Sequence, residues 1–203
     1  MNESRLLGAV CACLAILSFG KAQAAVLTFD DLTPTTSINV IPNGYGGLDW
    51  NLMPYVNAPI AAPLSGYNNG IVSGDYVAFS ENNTLHTITS SSTFDFNGAY
   101  LTGAWRDGLN INIKGYDGVT LLYDTTVLAN SDAPTWYLLD YIGVDKLEFS
   151  SFGGVDNPAY SGTGTQFAMD NFTFNSTVPI PASVWLFGSG LLGLIGVSRK
   201  KST

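Results

Sequence analysis

Asn110-Ile111-Asn112-Ile113-Lys114-Gly115-Tyr116-Asp117-Gly118-Val119 alternates polar and apolar side chains, breaks on an Asp-Gly pair, and is followed at once by Leu121-Leu122-Tyr123. A period of two turns one side of a segment into a core and the other toward solvent, as in a half-buried strand. The Asp-Gly pair, between a strand ending near Gly115 and another beginning near Val119, predicts a tight type I′ hairpin.

The same grammar extends outward from this hairpin. Val26 to Phe29, Tyr76 to Phe79, Thr93 to Phe96, Lys146 to Phe149 and Gln166 to Phe174 each alternate or run apolar, while helical periodicity is absent. Asn43-Gly44, Asn69-Gly70, Ser73-Gly74, Asp107-Gly108, Gly153-Gly154 and Asn157-Pro158 supply turns between them. Many short strands with Gly and Asx turns predict an all-β, single antiparallel β-sandwich or jelly roll over residues 25–177. Residues 31–70 hold Pro34, Pro42, Pro54, Pro59 and Pro63 among scattered apolar pairs. They predict a long irregular excursion, the place to look for a ligand surface.

Both ends of the chain read as targeting segments. Arg5, the apolar run Leu6 to Phe19 and the small-x-small site Ala22-Gln23-Ala24 predict a signal peptide over residues 1–24, cut before Ala25. Cys11 and Cys13 fall in the middle of that run, where a lipoprotein anchor would need a Cys at its end. The body is therefore free of Cys, and disulfides and thiolate metal ligands are excluded. At the other end, the apolar run Ala182 to Val197 gives a helix of roughly 24 Å, just able to span a bilayer with local thinning. Arg199, Lys200 and Lys201 follow it, and such charges resist translocation, leaving the preceding domain outside.

Val178-Pro179-Ile180-Pro181-Ala182, a transmembrane helix over 182–198 containing Trp185-Leu186-Phe187-Gly188-Ser189-Gly190-Leu191-Leu192-Gly193-Leu194, and the basic end together resemble the PEP-CTERM sorting signal of bacterial exported proteins. Pro179-Ile180-Pro181 stands where that signal usually has Pro-Glu-Pro. The body, from Phe29-Asp30-Asp31-Leu32 to Phe167-Ala168-Met169-Asp170-Asn171-Phe172, is similar to the β-rich passenger domains found ahead of this tail. The resemblance implies export, membrane retention, processing near Val178 to Ala182 by an exosortase-type protease, and association with an extracellular polysaccharide matrix at the cell surface. It names a route and leaves the task of the passenger open.

Charge narrows the partners. The chain has 16 acidic side chains; without Glu3 the body keeps 15, against Arg106, Lys114 and Lys146, so its formal charge is 3 minus 15, or −12. A phosphate backbone or an anionic lipid surface would be repelled, whereas neutral polysaccharides and divalent cations are compatible.

Three constellations are candidates for chemistry. If the first and last strands pair, as in the carbohydrate-binding jelly rolls this pattern is similar to, Asp30, Asp31 and Asp170 could offer oxygens to a structural calcium ion; the alternative is that they accept from local backbone amides. Tyr45, Trp50, Tyr55, Tyr67 and Trp105 could stack on sugar rings, although a sandwich also buries such residues between its sheets. An enzyme site is disfavoured: His86 is the only histidine, it lies in a segment that alternates like an exposed strand, and no nucleophile elbow or HExxH accompanies it. Carboxylates such as Glu81 and Glu148 are available for glycoside hydrolysis, but no acid and base pair is marked. The reading is an exported structural or adhesive β-sandwich with matrix polysaccharide as partner. A secreted polysaccharide hydrolase and a subunit that self-assembles along an unprotected edge strand are the alternatives.

Overall fold

The computed structural model describes residues 25–175; the segments expected to be a signal peptide, a sorting motif and a membrane helix lie outside the described residues. Among those described, no helix is long and apolar enough to cross a membrane.

Leu109, Ile111 and Ile113 are fully buried, and Asn110, Asn112 and Lys114 between them are half-buried on the opposite face, so the alternation does what its period requires. They belong to β6 (Arg106–Asp117), which forms a hairpin with β7 (Thr120–Ala129). The corner differs from the expectation by one residue. Asp117 pairs with Thr120, which leaves Gly118 and Val119 as the loop, and a bulge between Gly115 and Tyr116 absorbs the offset. Gly118 is at φ +58° and Asp117 and Val119 are not in the left-handed region. A type I′ turn needs both corner residues there; a positive φ at the first alone fits type II′. The Gly118 N–H donates to the Asp145 carboxylate at 2.9 Å, and Val119 projects into solvent.

The remaining strands are β1 (Ala25–Leu27), β2 (Asn39–Val40), β3 (Pro54–Asn57), β4 (Tyr76–Phe79), β5 (His86–Gly103), β8 (Thr135–Asp156) and β9 (Phe167–Phe174). The structure is mostly antiparallel β-sheet, consistent with an all-β sandwich. Its hydrogen bonding forms one ladder in the order β2-β3-β4-β9-β5-β8-β6-β7, with β1 beside β9. The first and last strands do pair, Ala25 with Phe174 and Leu27 with Phe172. Strand β8 serves two partners: Thr135 to Phe149 run along β5 and Lys146 to Asp156 along β6, so Lys146 to Phe149 are paired on both sides. Inward side chains from β5, β6, β8 and β9 meet in one core built around Phe96, Phe149, Phe167 and Phe172.

The irregular excursion contributes to that core. Leu32, Ile41, Leu48, Trp50, Met53 and Tyr55 are all buried in it, so residues 31–70, expected to be an irregular excursion carrying a ligand surface, also fill part of the main core. A second, smaller cluster forms on the other side of the sheet. Tyr55, Ala78 and Met169 belong to the main core, whereas their strand neighbours Val56, Val77, Phe79 and Ala168 pack with Tyr67 and Ala104, as alternation demands. Two one-turn helices cover this side: α1 (Ala58–Ala61), capped by Asn57 Oδ1 accepting from the Ile60 N–H at 3.2 Å, and α2 (Gly66–Asn69), capped by Ser65 Oγ accepting from the Tyr67 N–H at 3.2 Å. Such caps satisfy N–H groups that a helix start leaves unpaired.

His86 is buried, not exposed as its segment suggests. Its Nε2 accepts the Glu81 N–H at 2.9 Å, and burial holds the imidazole below its ordinary pKa. The neutral ring is thus a structural acceptor.

Candidate functional site

The helices α1 and α2 do not close completely over the second cluster. Between them, the β5–β6 turn and the loop before β9 lies an open cleft of about 690 Å³, within the range of small-ligand sites. Its walls are largely apolar, with Val56 and Phe79 from the sheet, Ala61 to Leu64 from the helix connection, and Ile38 from the excursion. Tyr67 and Trp105 meet edge to face at 5.4 Å, and Phe79 stands edge-on to Tyr67 at 5.2 Å. Gly162 lies against the Trp105 indole so closely that a Cβ there would come within 2.5 Å of the ring. The indole is therefore wedged between Tyr67 and the loop before β9, half-buried rather than swinging free.

Polar groups stand on one side of the cleft. Glu81, Asn82, Ser161 and Gln166 line it. Asn82 Oδ1 accepts from the Thr165 N–H at 2.9 Å, which fixes the loop, while the buried Oε1 of Gln166 has no hydrogen-bond partner. Burial pushes the Tyr67 phenol well above its ordinary pKa, so it remains a neutral donor.

The structure divides the five aromatic candidates. Tyr67 and Trp105 come together in the cleft. Trp50 and Tyr55 are corrected to core residues: the Trp50 ring is wholly enclosed, with Phe29 at 5.5 Å and Phe172 at 5.4 Å, and Tyr55 donates its hydroxyl to the Thr33 carbonyl at 2.8 Å. Tyr45 is half-buried beside Trp50 and donates to the Asp31 carboxylate at 2.6 Å. Sequence reasoning missed Ile38, Leu64 and Gln166. Leu64 is 77% exposed next to Pro63, and an apolar residue in a Pro-rich turn was the available signal.

The three carboxylates do not gather as calcium ligands, and that expectation is corrected. Asp170 Oδ2 accepts from the Val72 and Ser73 N–H groups at 2.7 and 3.0 Å, and its Oδ1 from the Asn171 N–H at 2.7 Å. Asp30 Oδ1 accepts from the Asp75 and Tyr76 N–H groups at 3.0 and 3.1 Å. Both acids thus hold the 72–76 loop by its amides, and Asp31 is turned to Tyr45. Among the described residues no group of three His, Cys, Asp or Glu side chains is placed to hold a metal ion. A calcium ion wants six to eight oxygens, and N–H donors occupy these lone pairs instead.

Burial outweighs those amides and pushes the Asp170 carboxyl up to about 6. With the folded value raised, its contribution to stability is full below the unfolded carboxylate range and is lost as pH rises through about 6. His86 has the opposite sign: its folded pKa is lowered, so its contribution is present above the unfolded imidazole pKa and is lost as pH falls through the folded value. Asp170→Asn separates the two. Relative to wild type it is expected to gain about 3 kcal/mol of unfolding free energy between roughly pH 4 and pH 8. Urea titrations of both proteins across that range check this, and a constant gap would refute it.

The fold and the cleft together define a mostly antiparallel β protein with an open, aromatic-lined cleft on one face of its sheet. No known family model matches the chain, and no characterised protein matches it. Among solved structures, a DUF4465 family protein from Bacteroides caccae aligns at 12% identity and a TM-score of 0.47, covering 79% of this chain and 96% of its own. Another from Bacteroides ovatus aligns at 10% and 0.44, covering 77% and 90%. TmCBM61, in complex with β-1,4-galactotriose, aligns at 12% and 0.33, covering 68% and 86%.

Proposed function

We propose that this chain is an exported cell-surface protein whose β-rich body binds a neutral extracellular polysaccharide in the Tyr67–Trp105 cleft. The observation that carries the reading is the Tyr67–Trp105 aromatic pair in one open, largely apolar cleft edged by the polar residues Glu81, Asn82, Ser161 and Gln166. Aromatic walls take the C–H faces of sugar rings, and a polar edge suits the hydroxyls around them. The charge of −12 on the body favours a neutral polymer over an acidic one. Export by the signal peptide, retention by the 182–198 helix and processing by an exosortase-type protease follow from the resemblance of Val178 to Lys201 to the sorting signal.

The hydrolase alternative has less support, because among the described residues Glu81 is the one carboxylate lining the cleft and glycoside hydrolysis needs two. Self-assembly along β7 is also less favoured. Tyr137 donates to the Leu128 carbonyl, and the Tyr123 hydroxyl both accepts from Ile142 N–H and donates to its carbonyl. These contacts tie the sheet's last strand to the first half of β8.

Protein recovered from the cell surface tests both parts of the reading. Its intact mass is expected to lack residues 182–203; retention of them would leave a plain anchor and end the exosortase part. In affinity electrophoresis through hydroxyethyl cellulose, galactomannan and dextran, one polymer is expected to retard it, with Trp105→Ala binding about tenfold more weakly. Unchanged retardation of Trp105→Ala would remove the cleft from the account.

A further inference from the structure

We propose that the outward face of β5 and β8 carries a second contact for a neutral glycan, separate from the cleft, with Trp136 as its platform. It shares with the cleft reading only the class of ligand, and no residue lines both.

The face is built for a flat ring. Tyr100 pairs with Trp136 across the two strands, and their rings lie 5.2 Å apart at 57°. Two residues along each strand, on the same face, Gly98 pairs with Leu138. Gly98 has φ +157°, and a Cβ there would lie 3.1 Å from Trp136 Cζ2 and 2.1 Å from the Tyr137 carbonyl oxygen. The indole therefore lies down over a glycine floor instead of standing off the sheet. It remains 37% exposed, with Leu138 beside it at 66%.

A polar edge adjoins this platform. Between the Phe96–Tyr141 and Gly98–Leu138 pairs, β8 has one residue more than β5. Asp140 in that bulge takes φ +48°, strained for a non-glycine residue in a strand, and its Oδ1 accepts from Asn97 Nδ2 at 3.3 Å. Bulges re-aim side chains, and backbone strain of this kind is retained where the surroundings hold it. The Asp140 carboxylate, held by the buried Asn97 amide, offers acceptors to hydroxyls beside the aromatic face.

Charge selects the occupant. Arg106, Lys114 and Lys146 are engaged with Asp156, Asp124 and Glu148 respectively, and Lys146 and Glu148, though on β8, lie ten or more residues along it from Trp136. A second copy would set −12 against −12, and an anionic lipid surface would be repelled in the same way. A neutral polysaccharide incurs neither cost and matches the stacking geometry.

The test uses the surface-recovered protein in the same three gels. Trp136→Ala is expected to weaken retardation about tenfold, Trp136→Phe to keep most of it, and Leu138→Glu, which sits in solvent beside the platform, to weaken it about fivefold. Leu138→Glu also decides the matter if Trp136→Ala fails to fold. Wild-type retardation in both Trp136→Ala and Leu138→Glu, with loss in Trp105→Ala, overturns the platform and leaves the cleft. Loss in the platform variants alone supports the platform and removes the cleft. No retardation of wild type by any of the three polymers overturns both readings. A sedimentation coefficient that falls in Trp136→Ala while binding is unchanged would assign the face to a second copy and overturn the glycan proposal.

Discussion

Trp50→Ala is expected to lower unfolding free energy by about 3–5 kcal/mol, as buried aromatic truncations do. The side chain has no exposed surface, it holds Phe29 and Phe172 apart, and its Nε1–H donates to the Tyr45 carbonyl at 2.9 Å. Truncation removes the apolar contacts, leaves a void next to three aromatic rings, and strands the carbonyl that received the hydrogen bond. Against a typical domain stability of about 5–15 kcal/mol this is a large fraction. Urea unfolding of the variant checks the figure. Glycan binding should survive wherever the variant is still folded, because the cleft is lined by a different cluster. A loss of binding with an unfolding free energy within about 1 kcal/mol of wild type would instead make Trp50 a ligand platform, reversing its assignment to the core.

That reversal matters because sequence alone could not rank the aromatic residues. Trp50, Trp105 and Trp136 all stand near turns, and what separates them is which distant segment folds over each ring. Trp50 is enclosed by β9 and the chain before Asp30, Trp105 is wedged by the 157–165 loop, and Trp136 lies on a floor created by Gly98 in another strand. None of these partners is adjacent in sequence. The strands were legible where alternation runs unbroken, as at Leu109, Ile111 and Ile113. They were read too short where glycines and bulges interrupt it: β8 continues through the left-handed residues Asp140 and Gly143, which look like turns. The His86 error has a related cause. Residues 86 and 88 share the inward face, and a local amide at Glu81 makes burial of the imidazole affordable there. The Asp residues at the two ends of the body were brought to the same loop, as strand pairing required. Whether they meet a cation or N–H groups depends on the backbone of residues 72–76, about which alternation says nothing.

Gly66→Ala is expected to disable the cleft while leaving the main core folded. At this position a Cβ would fall 1.8 Å from the Gly103 carbonyl oxygen and 2.9 Å from its carbon. The obstacle is the backbone of the central strand β5, which cannot rotate aside as a side chain could, so α2 must lift. Lifting breaks the bond from the Gly66 N–H to the Ala104 carbonyl, 2.8 Å long. It also draws Tyr67 away from Phe79 and Trp105, the contacts that shape the cleft. Overpacking of this kind costs about 1–3 kcal/mol, but the cost falls on the smaller cluster, since Trp50, Phe96, Phe149 and Phe172 lie on the opposite side of the sheet. Amide hydrogen exchange should accordingly speed up across residues 58–72 and stay slow in β6 and β9, in contrast to Trp50→Ala, where protection falls throughout. Glycan retardation through the cleft should drop with the local exchange. Slow exchange across 58–72 together with wild-type retardation would mean that the α1–α2 segment tolerates the methyl group, and the close approach of Gly66 to β5 would then have no part in shaping the site.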